Sequence, residues 1–207
     1  MDQERERIIE GLLRRVAKEV DRQHEARPKD RSCFDTGVSF HPAAFRCAVA
    51  EDSGPQTISA PTSPLICCLA FACELYLKAL LISRRRPSQG HGLVTLFNAL
   101  HADDSKAVKE AYEQATGRKS IALAKDLATL SKAFVEWRYI FETGKVQISI
   151  HRLANVAQAI LRTILSTRPE WEVRDHLKSA VLQPMPEDVA LVISLGGGRM
   201  VRAVIEP

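Results

Sequence analysis

The sequence predicts a mainly α chain with an N-terminal helical extension and a C-terminal β-hairpin, and three stretches carry that expectation. From residue 120 to 142, Leu123, Leu127, Leu130, Phe134, Trp137 and Phe141 recur at alternating steps of four and three, which draws one continuous apolar stripe along a helix. From Leu65 to Ile82 the run LICCLAFACELYLKALLI is apolar on every side, as in a helix wrapped by protein. Near the C-terminus, VALVISLGGGRMVRAVIEP switches to β-branched alternation on both sides of Gly196, Gly197 and Gly198, the pattern of two strands and a turn.

The remaining elements can be placed in chain order. Ile9, Leu13, Val16 and Val20 mark an amphipathic first helix. A region containing Pro, Gly and Ser, from Arg27 to Ser63, separates it from the bundle, with one further helix expected over Pro42 to Glu51. Ser63 suits a cap and Pro64 the first helical position of the long apolar helix. Shorter helices are expected at Leu93 to Leu100 and at Ser105 to Thr116, the second stopped by Gly117; Gly144 is the expected stop of the striped helix. Ile150, Leu153, Ala157, Ile160, Leu161 and Ile164 draw the last helix, which ends before Pro169. The expected division is residues 1–62 as extension and loop, 63–168 as the helical bundle, and 169–207 as the C-terminal segment with the hairpin.

Composition narrows the class. With 207 residues, 45% hydrophobic and 26% charged, the chain has the ordinary globular balance and length for one sizeable core. The net charge of +4 is mild, and the first 31 residues carry nine Lys or Arg against eight Asp or Glu, a solvated helix face and not a nucleic-acid arm. Five cysteines without a CxxC pair argue against a disulfide framework and against a zinc ribbon. No metal or cofactor is therefore expected, and a reducing cytoplasm fits. The charged N-terminus does not resemble a signal peptide. Glu74 and Lys78 sit in the middle of the only run long enough to span a bilayer, where each charge costs about 2.5–3.5 kcal/mol, so no membrane is expected.

Those two charges raise their own question. Glu74 has Ala70, Leu77 and Leu81 as helical neighbours, so its carboxylate projects among apolar groups and needs a cation. Lys78, four residues on, is one candidate. Arg138, between Phe134 and Phe141 on the striped helix, is the other, and a Glu74–Arg138 bridge across two packed helices would satisfy both ends.

ACELYLKALL, GHGLVTLFNAL and FVEWRYIFE, in that order and at these separations, resemble the HEPN superfamily, over about residues 66 to 165. The resemblance implies an up-and-down bundle of four to five helices that often forms a homodimer, frequently in bacterial defence or toxin–antitoxin loci. It also implies either a metal-independent ribonuclease or a noncatalytic module that binds RNA, a nucleotide or a protein partner such as an antitoxin.

In the ribonuclease members of that superfamily an Arg and a His with four to six residues between them share one helix; the pair supplies a proton acceptor and charge for the phosphodiester. After Arg138 the positions where the histidine would fall are Thr143, Gly144 and Lys145. Only His91 has arginines at the right distance, Arg84, Arg85 and Arg86, and Pro87 and Gly90 keep these from sharing a helix face with it. The catalytic candidates are thus Arg138, Glu142, His91 and His151. Arg84, Arg85, Arg86, His91, Lys78 and Tyr139 are the binding candidates. The expected function is a noncatalytic module; a ribonuclease with a non-standard site and a protein adaptor using the hairpin are the alternatives.

Overall fold

The computed structural model describes residues 2–47, 51–52, 58–59, 62–138, 150–173, 192–195 and 199–202. Its helices are α1 (Asp2–Ala26), α2 (Lys29–Cys47), α3 (Thr62–Ser83), α4 (Leu93–Asn98), α5 (Ala102–Thr116), α6 (Ser120–Arg138) and α7 (Ile150–Thr167). Two short antiparallel strand pairs accompany them: β1 (Glu51–Asp52) with β2 (Ile58–Ser59), and β3 (Val192–Leu195) with β4 (Arg199–Arg202). Of the hairpin expected from Val189 to Ile205, only these last two strands are described, with β3 beside β2; its turn lies outside the described residues.

A helix without a polar face is stable only if neighbours cover it on all sides, and α3 is covered by α2, α4, α6 and α7. Its buried residues run from Leu65 and Ile66 through Leu69, Ala72, Tyr76 and Leu77 to Leu80 and Leu81. By length and a mean hydropathy of 2.2 the stretch Pro64–Ser83 could cross a membrane, yet 67% of that window is buried inside the protein. Burial pushes the Cys33 thiol up to about 11 and raises Cys68 and Cys73 as well, so these cysteines act as small apolar groups.

Lys29–Cys47 is a helix of 19 residues where the sequence suggests a loop and a later start at Pro42. Pro42 costs α2 one backbone hydrogen bond, and burial of one face offsets that cost. Phe34, Val38 and Ala44 enter the core shared with α3, and Phe40 meets Phe71 edge-on at 4.7 Å. Gly37 lets the two helices approach, because a Cβ there would fall 2.8 Å from the Tyr76 ring. The core therefore continues across the expected 62/63 boundary. On the other side of Phe34, Trp171 closes the same cluster at 5.3 Å between ring centroids. Arg31 donates to the carbonyls of Glu170 and Glu172, which fastens the segment after α7 to α2.

Helix ends are set by local chemistry. Gly117 takes a φ of 65° and donates its N–H to the Glu113 carbonyl, a left-handed stop for α5. The Glu113 side chain then accepts from the Ser120 N–H, capping α6. Between these helices, Tyr112 donates to Asp126 at 2.6 Å, and Arg118 donates to both, to Asp126 at 2.8 Å and to the Tyr112 hydroxyl at 2.9 Å. Burial, then the Asp126 carboxylate, holds the Tyr112 phenol up to about 12, so it remains a donor.

His41 is fully buried on α2, stacked on Phe45, with Nδ1 3.1 Å from the Tyr76 hydroxyl and Nε2 unpartnered among the described residues. Burial lowers its pKa from 6.5 to about 3. The unfolded chain therefore takes up a proton near pH 6.5 that the folded chain refuses, and stability falls as pH drops from 6.5 toward 3. Urea unfolding at pH 5 and at pH 8 should show about 2 kcal/mol of loss from this group, at ~1.4 kcal/mol per pH unit. His41→Leu should remove that portion of the slope; an unchanged slope would refute the assignment.

Candidate functional site

Two polar centres lie beside the C-terminal half of α3, and both arise from carboxylates that the fold buries. Glu74 and Lys78, one turn apart, share a face of α3. Glu74 is only 3% exposed at its side chain, and its Oε1 accepts from Lys78 Nζ at 2.7 Å. The same oxygen lies 2.9 Å from Nδ1 of His91. A carboxylate is an acceptor, so Nδ1 carries a proton, and in the neutral ring Nε2 keeps a free lone pair. His91 is 75% exposed, which turns that Nε2 toward solvent. A charged group buried to this degree is tolerable only with such partners.

The turn that delivers His91 is itself fixed. After Ser83 the chain reverses with Arg84 N–H and Arg86 N–H donating to the Leu81 carbonyl, and Arg85 N–H to that of Ile82. Arg85 takes a left-handed φ of 55°, uncommon for a residue with a side chain. At the far side, α4 starts at Gly92, which has no side chain to cap it. Ser131 of α6 supplies the cap by accepting from Leu93 N–H at 3.0 Å. Leu93, two residues after His91, is thus pinned to α6.

The three arginines that the sequence groups together are separated by this turn. Arg84 donates to Asp104 through Nε and Nη2, at 3.2 and 3.3 Å. Arg86 donates from Nη1 to the carbonyls of Ala99 and Leu100, at 2.8 and 2.6 Å, neutralising the C-terminal end of α4. Arg85 is exposed and makes no ion pair among the described residues. Arg168 completes the Asp104 centre, with Nη2 3.9 Å from the carboxylate and 2.6 Å from the Ser83 hydroxyl. The ends of α3 and α7 and the start of α5 are joined there.

The candidates therefore divide. Lys78, Glu74 and His91 meet at one oxygen, and Arg85 lies on the turn that leads to them. Arg84 and Arg86 are tied inward. His151 stands half-buried in the first turn of α7 and has no hydrogen bond to Glu74, Lys78 or His91. Arg138 is the last residue of α6, two turns beyond Ser131; its side chain, and Tyr139 and Glu142 entirely, lie outside the described residues, as does the expected Glu74–Arg138 bridge. Sequence reasoning missed the Glu74–His91 contact. The signal was a buried acid with a histidine 17 residues later at a helix start, a separation that only the turn's geometry closes. No group of three or more His, Cys, Asp or Glu suited to a metal ion occurs among the described residues.

Residues 69–168 match the family model of the HEPN domain. No curated protein and no solved structure matches the chain.

Removing the shared acceptor should be costly. Glu74→Gln leaves Lys78, itself only 18% exposed, without its charge partner, and should lower stability by about 1.5–3 kcal/mol. Asp103→Asn, at an exposed position of α5, should change little. Equal melting temperatures for the two variants would show that the Glu74 centre does not support the fold.

Proposed function

We propose that the HEPN domain carried at residues 69–168 works as a noncatalytic module that binds RNA or a nucleotide through its phosphates, at the corner between α3 and α4. The observation that supports this most is the His91 imidazole, held at Nδ1 by buried Glu74 and open to solvent at Nε2. Such a ring is preoriented and loses little freedom on binding: in its neutral form Nε2 accepts from a ribose hydroxyl or a base N–H, and in its protonated form it donates to a phosphate oxygen. Arg85, exposed on the same turn, supplies a cation for a phosphate oxygen. Arg138, two turns past the Ser131 cap on α6, is the further cation we assign to this corner. The setting we infer is bacterial defence or a toxin–antitoxin pair; a protein partner is the alternative occupant of the corner.

Binding is favoured over cleavage by the fate of the arginines. Two of the three that precede His91 are committed to Asp104 and to the end of α4, so transition-state charge at His91 would rest on Arg85 and Arg138. One observation supports the ribonuclease reading: a carboxylate on Nδ1 is also how a histidine is oriented as a general base.

Labelled single-stranded RNA, with chelator present, separates the two. Intact RNA is expected, with binding that weakens steeply from low to moderate salt as counterions are released. Arg85→Ala and His91→Ala should each weaken binding several-fold. Cleavage by the parent that disappears in His91→Ala would replace this reading with the ribonuclease; absence of both cleavage and salt-sensitive binding would point to a protein partner.

A further inference from the structure

His91 offers a ligand one nitrogen, and Glu74 decides what that nitrogen is. A neutral imidazole has a single N–H. Glu74 Oε1, on a side chain only 3% exposed, lies 2.9 Å from Nδ1 and takes that N–H, so the Nε2 turned to solvent is an acceptor. A phosphodiester oxygen is an acceptor too and has no proton to give, so the two repel. The other tautomer, with its N–H on Nε2, would set the Nδ1 lone pair against the buried carboxylate. A phosphate therefore meets this ring as a hydrogen-bond partner only after a second proton is added at Nε2.

We infer, resting on the phosphate-binding reading of this corner, that it binds a phosphodiester and a proton together, so that acidification tightens the ligand and alkalinisation releases it. The charges around the ring support this coupling. On α3, Glu74 is matched by Lys78 at 2.7 Å. On α2, Cys33 lies within electrostatic reach of both and of Asp30, and burial pushes its thiol up to about 11, so it stays neutral. Asp30 itself accepts from the Arg31 N–H. On α6, the described side chain at this corner is neutral Ser131. On the turn, Arg84 and Arg86 are committed elsewhere and Arg85 is exposed. The anion left to pair with a proton on Nε2 is thus the phosphate itself.

The imidazolium then donates at both ends, from Nδ1 to Glu74 and from Nε2 to the phosphate, two charge-assisted hydrogen bonds. Linkage is reciprocal, so ligand and proton each raise the affinity of the other. Above the range in which histidine titrates, the same nitrogen selects a ribose hydroxyl or a base N–H instead.

Calorimetric titration of the full chain with an oligouridylate lacking terminal phosphates tests this, because neither its bases nor its diesters change charge between pH 6 and pH 7.5. Runs at constant salt in buffers of different protonation heat count the protons taken up. The parent should take up a fraction of one proton at pH 7, with a dissociation constant that rises roughly fivefold from pH 6 to pH 7.5. His91→Gln, which can donate but not titrate, should abolish the uptake and flatten the dependence. Arg85→Ala should bind more weakly at every pH with the proton count unchanged. Glu74→Gln, which frees the neutral ring to present an N–H at Nε2, should make the dependence shallower. Binding by the parent without proton uptake, or uptake that persists in His91→Gln, would overturn the inference and leave the binding reading standing. Absence of binding at every pH would overturn that reading, and the inference with it.

Discussion

The carboxylate of Glu74 inside an otherwise apolar helix is the constraint around which this fold is arranged. Because α3 is buried on nearly all sides, an ion placed on it cannot reach bulk water, and the desolvation of an unpaired carboxylate would cost several kcal/mol. Lys78 supplies one donor from the same helix, and the second must come from another segment. That requirement fixes where the chain goes after α3: it reverses through Arg84, Arg85 and Arg86, returns at His91, and is clamped by Ser131 as α4 begins. A packing demand in the core thus determines the position of an exposed imidazole.

The same device recurs. Asp104 and Asp126 are also buried, and each is met by an arginine from just beyond a helix end, Arg84 after α3 and Arg118 after α5. Buried pairs of this kind often add little net stability. Their effect here is to tie each connecting turn to a particular neighbour, which distinguishes this arrangement of helices from others with equal apolar burial. For the function proposed, the consequence is that two of three adjacent arginines are withdrawn from ligand contact while the left-handed residue between them remains outward.

Where one physical rule acts alone, the sequence was readable. The apolar stripe announced α6, Pro64 marked the start of α3 to within two residues, since the helix begins at Thr62, and Gly117 marked the end of α5 with a left-handed φ. The Glu74–Lys78 pair could be read from helical spacing. α2 was obscured because its inward face, buried Phe34, Val38 and His41 with half-buried Phe45, is interrupted by a polar ring with proline next to it; only the docked helix shows that His41 is buried and that Pro42 is tolerated. The grouping of Arg84, Arg85 and Arg86 suggested a single basic patch, whereas three successive residues leaving a helix through a left-handed turn point in three directions, Arg84 to Asp104, Arg86 to the end of α4 and Arg85 to solvent. The Glu74–His91 contact depends on that turn and on a cap from a distant helix, so neither spacing nor residue type could announce it.

The central claim is that buried Glu74 sets the orientation of exposed His91, and the protonation of the imidazole nitrogens measures it directly. Nitrogen NMR of the full chain with labelled histidine, at a pH where His91 is neutral, should show its proton on Nδ1 and a free Nε2, with that preference lost in Glu74→Gln. A His91 that carries its proton on Nε2 in the parent, or that is indifferent to Glu74→Gln, would contradict the account.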